Sequence, residues 1–461
     1  MRIKSVVLGM ALALVVPTSF AVGQEPAGAN SPAAEKPAQD EDYYELLRLF
    51  ADTLDQIDRN YVTEVSRRDL MEAAIKGMIT KLDQHSNYIP PEELDRFRSG
   101  VDNEFGGVGI QIAIDDQKLV VISPLVNTPA YRAGILAGDH ILKIDDTDTT
   151  DLTLNHAVKL LKGKVGTAVH VTVKHAHDES IEKLELQREI VQVETVLGDN
   201  RNRDASWDYF YDKEKKLGYV RIGAFGRHTA KDLRKAVAAL VDGGMKGFVL
   251  DLRFNPGGLL SSAIEVSDLF ISKGRIVSTE GRNAPSRTWD AHSQDTFEGF
   301  PMVVLVNRYS ASASEIVAAC LQDHDRAVVI GERTWGKGSV QNIIELEEGR
   351  SALKLTTAGY QRPSGKNIHR TEDAKPDDEW GVSPNDGYLV RLSPGEMDRL
   401  LRERRGKDIV RNPNDEAQPE PTKDDRQLDK ALEYLNQALV PEKENADDKE
   451  KVDDKVIAET S

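Results

Sequence analysis

From Leu217 to Tyr360, short apolar runs alternate with amphipathic stretches, and this alternation restricts the possible fold more than any other feature of the chain. Strand-type runs at 217–222, 247–252, 302–306 and 327–330 are separated by helical patterns at 230–241, 259–270 and 313–321; two more β-type runs follow at 339–346 and 352–360. Such a pattern predicts a layered α/β core, with chemistry placed in the loops at strand ends.

The flanking regions differ in character. Arg2 and Lys4, the apolar stretch Val6 to Val16 and the small residues Ala21 and Gly23 have the layout of a cleaved export signal over 1–23. The apolar run is short of the roughly 20 residues that a spanning helix needs, so membrane association is expected only if the signal stays uncleaved. Residues 24–41, rich in Ala, Pro, Glu and Gly, read as a disordered linker. Helical spacing predicts an N-terminal helical region over 42–98, with Pro90-Pro91 opening its last helix. Short β-type runs and one helix from Leu154 predict a compact β-rich module over 99–190, ahead of a core over 191–404. The segment 405–461 reads as an acidic tail with one docked helix, built on Leu428, Ala431, Leu432, Leu435 and Leu439. At 461 residues the chain has room for several domains.

Composition excludes some functions. A net charge of -17 with no basic block argues against nucleic-acid binding. Cys320 is the sole cysteine, so no internal disulfide can form. His175 and His177 alternate on one strand, yet no Cys or carboxylate pattern accompanies them, and no metal or other cofactor is expected.

Three segments of the core carry candidate chemistry. In Asn307-Arg-Tyr-Ser-Ala-Ser-Ala-Ser-Glu315 an apolar strand turns into a helix, a context that exposes a side chain beside free N–H groups. Ser312 and Glu315 also satisfy the capping-box pattern, which by itself needs no chemistry. Gly331-Glu-Arg-Thr-Trp-Gly-Lys-Gly-Ser-Val-Gln341 approaches a phosphate-binding loop, but Gly338 stands at the hydroxyl position and a β-type run replaces the helix. Lys337 between its glycines can instead act as general base to a serine if burial depresses its pKa from about 10.4. Gln341 is placed to orient its amine. In Leu250-Asp-Leu-Arg-Phe-Asn-Pro-Gly-Gly-Leu-Leu260, Gly257 or Gly258 could supply one oxyanion donor, with Ala313 the other. His324 between Asp323 and Asp325 suggests a Ser-His-Asp triad, but it lies roughly 18 Å from Ser312 along one helix.

These phrases, S-A-S-A-S-E at 310–315, G-E-R-T-W-G-K-G-S-V-Q at 331–341 and N-P-G-G at 255–258, closely resemble the carboxyl-terminal processing peptidases, or tail-specific proteases. Leu82-Asp83 with His85 to Tyr88, and Pro363 to Lys366 with Ile368, extend the likeness over most of the mature chain. The resemblance implies a crotonase/Clp-protease-like core, Ser312 as nucleophile, Lys337 as its base 25 positions later and Gln341 in support. Trp335, Phe254 and the long 372–380 segment depart from the family pattern without touching that pair.

Gly106-Gly-Val-Gly-Ile-Gln111 and Pro129 to Asp139 resemble PDZ domains. The likeness implies that Gly107, Val108, Gly109 and Ile110 bind a chain-terminal carboxylate in a nest of N–H groups while the next strand pairs with the peptide. Arg188, at the end of this module, reads as a surface residue. The expected partners are proteins or peptides with free C-termini, a homo-oligomer is compatible, and the expected location is the periplasm or the outside medium. The competing readings are a catalytically inactive peptide-binding scaffold, against which Ser312, Lys337 and Gln341 all stand, and a hydratase or isomerase on a similar core, which leaves the peptide-binding module unexplained.

Overall fold

The computed structural model of the protein describes residues 39–411 and 424–440. The stretch read as an export signal, most of that read as a linker and parts of that read as an acidic tail lie outside the described residues. Two compact units divide the chain, one ending at Ala73 and one beginning at Ala74. In the first, the helix Gln39–Asn60 starts inside the stretch read as linker. It exposes Tyr44, Leu46, Leu47, Leu49 and Phe50, and Arg67 pairs with Asp58 where the chain turns into the helix Arg67–Ile79. Among the described residues no helix is long and apolar enough to cross a membrane.

In the second unit the helix Pro91–Asp102 has its proline in the first turn as expected. A β-rich module follows, its antiparallel strands ordered Ile110–Asp115, Lys118–Pro124, His140–Ile144, Ala168–Lys174, Ile181–Gln187. Ile110–Asp115 is therefore an edge strand, and the helix Leu154–Leu161 packs beside it. Alternate residues Val169, Val171 and Val173 point into a separate small core with Val121, Ile141 and Ile144. A two-stranded ribbon, Glu104–Gly107 with Glu189–Gln192, closes the module at its entry and exit.

In the α/β core, strands Leu217–Ile222, Gly247–Asp251, Met302–Val306 and Val328–Gly331 run parallel, with Val249 opposite Val303 and Val303 opposite Val328. Parallel strands joined by helical crossovers have both faces covered. Phe248, Leu250 and Val304 pack under the helices Thr229–Asp242, Leu260–Asp268 and Ala313–Asp323. Tyr219, Val249, Val303 and Leu305 face the opposite way and meet Leu428, Ala431 and Leu435 of the helix Arg426–Ala438. The segment read as a docked helix in a tail is thus the second layer of the core. A second, antiparallel sheet sets Ser351–Gln361 between Asn87–Ile89 and Arg275–Glu280, with Ser339–Leu346 also paired to it.

A buried charge network fastens the outer layer. Arg253, fully buried, donates to Asp251 at 2.6 Å and to both oxygens of Asp425 at 2.7 Å, and Arg404 also reaches Asp251. Arg404 belongs to the helix Pro394–Asp408, which runs across the boundary drawn at 404/405. Burial alone raises the Asp251 carboxyl, but the Arg253 and Arg404 guanidiniums outweigh it and hold the group below the usual carboxylate range. Removing one partner of a buried pair costs about 3 kcal/mol because the other charge stays behind. Asp425→Ala is therefore expected to lower stability by about that amount in denaturant unfolding followed by circular dichroism, and Asp429→Ala, on the same helix but outside the network, by much less.

Candidate active site

Two of the parallel strands deliver their following turns to one place. Gly247–Asp251 leads into Asn255-Pro256-Gly257-Gly258, and Met302–Val306 leads into Asn307 to Ser312, both at the carboxyl ends of the strands. Asn255 is fully buried and ties these turns together. Its Nδ2 donates to the Ile222 carbonyl at 2.8 Å, its Oδ1 accepts from the Gly257 N–H at 2.8 Å, and its carbonyl accepts from the Ala311 N–H and the Ser314 hydroxyl, each at 3.0 Å.

Ser312 stands at the head of the helix Ala313–Asp323 with φ 56° and ψ -112°, a conformation that non-glycine residues rarely adopt. Glycine is required opposite it: a Cβ on Gly257 would come within 2.7 Å of the Ala311 carbonyl oxygen and 2.9 Å of the Ser312 Cβ. The strained turn is held by Glu315. Its carboxylate, fully buried, accepts from the Ser312 N–H at 2.7 Å, which is the return arm expected of a capping box. The same carboxylate accepts from the Gly336 N–H at 2.6 Å, the Lys337 N–H at 2.8 Å and the Thr334 hydroxyl at 2.6 Å. Four donors thus converge on one side chain, and the backbones of Ser312 and Lys337 are fixed to the same two oxygens. Burial raises the Glu315 carboxyl against the pull of those donors.

Lys337 is partly buried and, with Ser312, lines a cleft of about 1040 Å³ that also takes in Phe97, Leu259, Val340, Ile343 and Tyr360. Burial, reinforced by the ammonium of Lys354 in the same cleft, lowers the Lys337 pKa; Glu315 and Asp83 oppose the shift. Among the described residues the Lys337 amine makes no hydrogen bond or ion pair. Tyr360 borders the cleft beside Ser312, and burial pushes its hydroxyl pKa up to about 12 against the opposing influence of the Ser312 hydroxyl. The glycines beside Lys337 serve the backbone. A Cβ on Gly336 would meet Arg370 at 2.7 Å, and one on Gly338 would overlap His369, so the segment 369–370 crosses over the loop.

The sequence-predicted donors divide. The Gly257 N–H is already engaged by Asn255, which removes it as an oxyanion donor. Among the described residues the N–H groups of Gly258 and Ala313 have no partner, and both Gly258 and Ser312 border the cleft. Gln341 lines the cleft too, but its amide donates to the Ser339 hydroxyl at 2.8 Å and to Thr356 at 3.3 Å rather than engaging Lys337. Thr356 in turn donates to Asp83, which also takes the Ser86 hydroxyl at 2.7 Å. His324 Nε2 faces the Arg275 carbonyl at 2.7 Å, away from any triad. Sequence reasoning gave Glu315 only a capping role and gave no role to Asn255, Tyr360 or Lys354.

In the β-rich module, the Val108 and Gly109 carbonyls point inward, accepting from Ala130 at 3.0 Å and Leu125 at 2.9 Å. Among the described residues their N–H groups have no partner. Gly109 has φ 77°, and Thr128 packs against it so closely that a Cβ would overlap. Gly107 pairs with Glu189 in the two-stranded ribbon, and Ile110 begins the edge strand. Arg188 is structural: it donates to the Leu160 carbonyl at 2.8 Å and the Leu161 carbonyl at 3.3 Å, capping the end of the helix Leu154–Leu161.

Comparison with known proteins agrees with this division of parts. Residues 216–380 match the model of peptidase family S41, 106–186 that of the PDZ domain, and 8–92 that of the N-terminal domain of the activating protease CtpB. A carboxy-terminal-processing protease of Bartonella bacilliformis is 37% identical over 399 residues, covering 81% of this chain and 87% of that one. The carboxy-terminal processing protease CtpA of Bacillus subtilis is 36% identical over 318 residues, covering 68% of this chain and 65% of its own length. A solved photosystem II D1 C-terminal processing protease is 29% identical, covering 79% of this chain and 98% of that chain, with a TM-score of 0.42. The chain belongs to peptidase family S41, as one of its carboxy-terminal processing proteases. It is a serine peptidase with a PDZ domain ahead of its core.

Two substitutions separate the contacts that hold the site from those that occupy it. Glu315→Gln gives three N–H donors and a hydroxyl one oxygen and an amide that repels them, so kcat is expected to fall by about 100-fold through misplacement of the serine turn. Tyr360→Phe removes only one hydroxyl from the cleft wall beside Ser312 and is expected to keep kcat near the wild-type value. Steady-state kinetics on an unstructured peptide checks both, with a thermal melt to show that each variant is folded.

Proposed function

We propose that the protein is an exported endopeptidase that cuts protein substrates near their C-termini with a Ser312/Lys337 dyad, the PDZ domain holding the free C-terminal tail. The observation that carries this reading is the shared cleft. A lysine amine without a competing partner, its pKa depressed by burial and Lys354, borders the same cavity as a serine at a strained helix head.

The chemistry follows from those groups. The neutral Lys337 amine becomes the hydrogen-bond partner of Ser312 and accepts its proton as the hydroxyl oxygen attacks the scissile carbonyl. The oxyanion is met by the N–H groups of Gly258 and Ala313, and Lys337 then gives its proton to the departing amine. Water, deprotonated by the same amine, releases the acyl group and restores Ser312. Gln341 supports the wall behind Lys337 through Ser339 and Thr356. Tail capture rests on the unpartnered N–H groups of Val108 and Gly109, flanked by Gly107 and Ile110, and on the edge strand that a peptide can extend. Export rests on residues 1–23 and implies the periplasm or the outside medium.

One peptide with a free or an amidated C-terminus tests both halves. Wild type is expected to cut the free form faster, and Ser312→Ala and Lys337→Ala to cut neither; equal cleavage of both peptides removes tail reading, and persistent cleavage by both variants removes the dyad. The pH dependence has a defined sign. Lys337 acts when unprotonated, so kcat/KM is expected to rise with pH through a pKa below the ordinary lysine value of about 10.4. Lys354→Met removes one of the influences that lower that pKa, so the rising limb is expected to move to higher pH, measured as a kcat/KM profile against wild type.

A further inference from the structure

The turn ahead of the strand Asn87–Ile89 holds a half-buried carboxylate, Asp83, that collects donors from two distant parts of the chain. Its Oδ1 accepts the N–H groups of His85 at 2.7 Å and Ser86 at 2.9 Å, and its Oδ2 accepts the Ser86 hydroxyl at 2.7 Å, which closes the turn on itself. Two further bonds tie the turn to the antiparallel sheet. Thr356 Oγ1 donates to Asp83 Oδ1 at 3.2 Å, and the Thr356 N–H donates to the buried Ser86 hydroxyl at 3.0 Å, across 273 and 270 positions of sequence.

From Thr356 the connection reaches the cleft. Thr356 stands opposite Gln341 in the sheet, and the Gln341 amide donates to Thr356 Oγ1 at 3.3 Å and to the Ser339 hydroxyl at 2.8 Å. Gln341 lines the cleft, and Ser339 opens its strand two residues after Lys337. Pairing of Asn87 with Lys354 fixes the same sheet two residues before Thr356. A continuous series of hydrogen bonds therefore runs from Asp83 to the strand that begins beside Lys337. We propose that Asp83 is a positioning residue of the acyl-transfer site, which anchors the cleft wall through Thr356 and Gln341 and whose negative charge acts on the Lys337 amine. The inference rests on the Ser312/Lys337 dyad. Asp83 does not border the cleft, so it acts through other residues and not on the substrate.

Contact and charge can be told apart. Burial raises the Asp83 carboxyl, but the Ser86, His85 and Thr356 donors outweigh it and hold the group below the usual carboxylate range, so Asp83 is ionised wherever the lysine titrates. Lys337 faces Lys354, Glu315, Asp83 and His85; His369 lies beside Gly338, and Arg370 turns its guanidinium onto Trp380. Among these the Asp83 carboxylate favours the protonated lysine, against burial and Lys354. Removing that charge lowers the Lys337 pKa further, which moves the rising limb of the rate profile to lower pH. Loss of the Thr356 hydroxyl removes no charge. It cuts the link between the turn and Gln341, and a misplacement of about 1 Å in such a site can cost about 100-fold in rate.

Steady-state kinetics of the full chain on an unstructured peptide, recorded against pH, tests the proposal. Asp83→Asn keeps an oxygen for the His85, Ser86 and Thr356 donors but loses the charge; kcat is expected to fall about threefold and the rising limb to move to lower pH, opposite to the displacement expected of Lys354→Met. Thr356→Val is expected to lower kcat about tenfold with KM little changed and the limb in place. Because both variants act on one series of contacts, the double variant is expected to lose less than the product of the two losses. A thermal melt shows that each variant is folded. Wild-type kcat in both variants, or an unmoved limb in Asp83→Asn beside an inactive Lys337→Ala, overturns the role of Asp83 and leaves the dyad standing. Continued cleavage by Lys337→Ala removes the dyad and this inference with it.

Discussion

The Glu315 carboxylate is the contact on which the candidate site depends. The serine turn and the lysine loop come from different strand ends, 25 residues apart in sequence, and they meet because both donate backbone N–H groups to this buried side chain. Two flexible loops would lose the relative placement that acyl transfer needs, since small misplacements are expensive in rate. The strain at Ser312 has the same support: a φ of 56° persists because Glu315 holds the N–H on one side and Gly257 leaves room on the other. A residue that would serve any helix as a cap here also fixes a second loop.

Around that contact the architecture is a sheet with two different coverings. The helices after each strand cover one face in the ordinary way of parallel sheets, while the opposite face waits for the helix Arg426–Ala438. Arg253, two residues before Asn255, carries the link from that helix into the glycine turn, because Asp425 and Asp251 hold its guanidinium from two sides. The packing of the far layer and the position of the glycine turn are therefore joined through a few buried residues.

Much of this was legible in the sequence, for identifiable reasons. The strand 302–306 is a continuous apolar run, 217–222 and 339–346 carry apolar and β-branched residues among polar ones, and the structure has all three at those positions. Ser312, Lys337 and the two glycines stood out through the phrases shared with the carboxyl-terminal processing peptidases, since singly a capping serine, a loop lysine and a glycine turn are common at strand ends. The helix Pro394–Asp408 was missed because its charged composition hides any apolar stripe, although Ser393 and Glu396 form a capping box that marks its start. The engagement of the Gly257 N–H could not be read at all, since it depends on which way Asn255 turns its amide. The partners of Gln341 were equally hidden, because Thr356 reaches it only through the pairing of Ser339–Leu346 with Ser351–Gln361. The pairing of His175 with Asp139 was hidden as well, because the two lie 36 positions apart in sequence.

The late position of Asp425 has a consequence for biosynthesis. An unfinished polypeptide that ends before it leaves a wholly enclosed guanidinium short of a counter-charge and a row of valines and leucines open to water. The core therefore closes only after the helix Arg426–Ala438 has been made and has docked, and the order of assembly runs from the parallel strands outward.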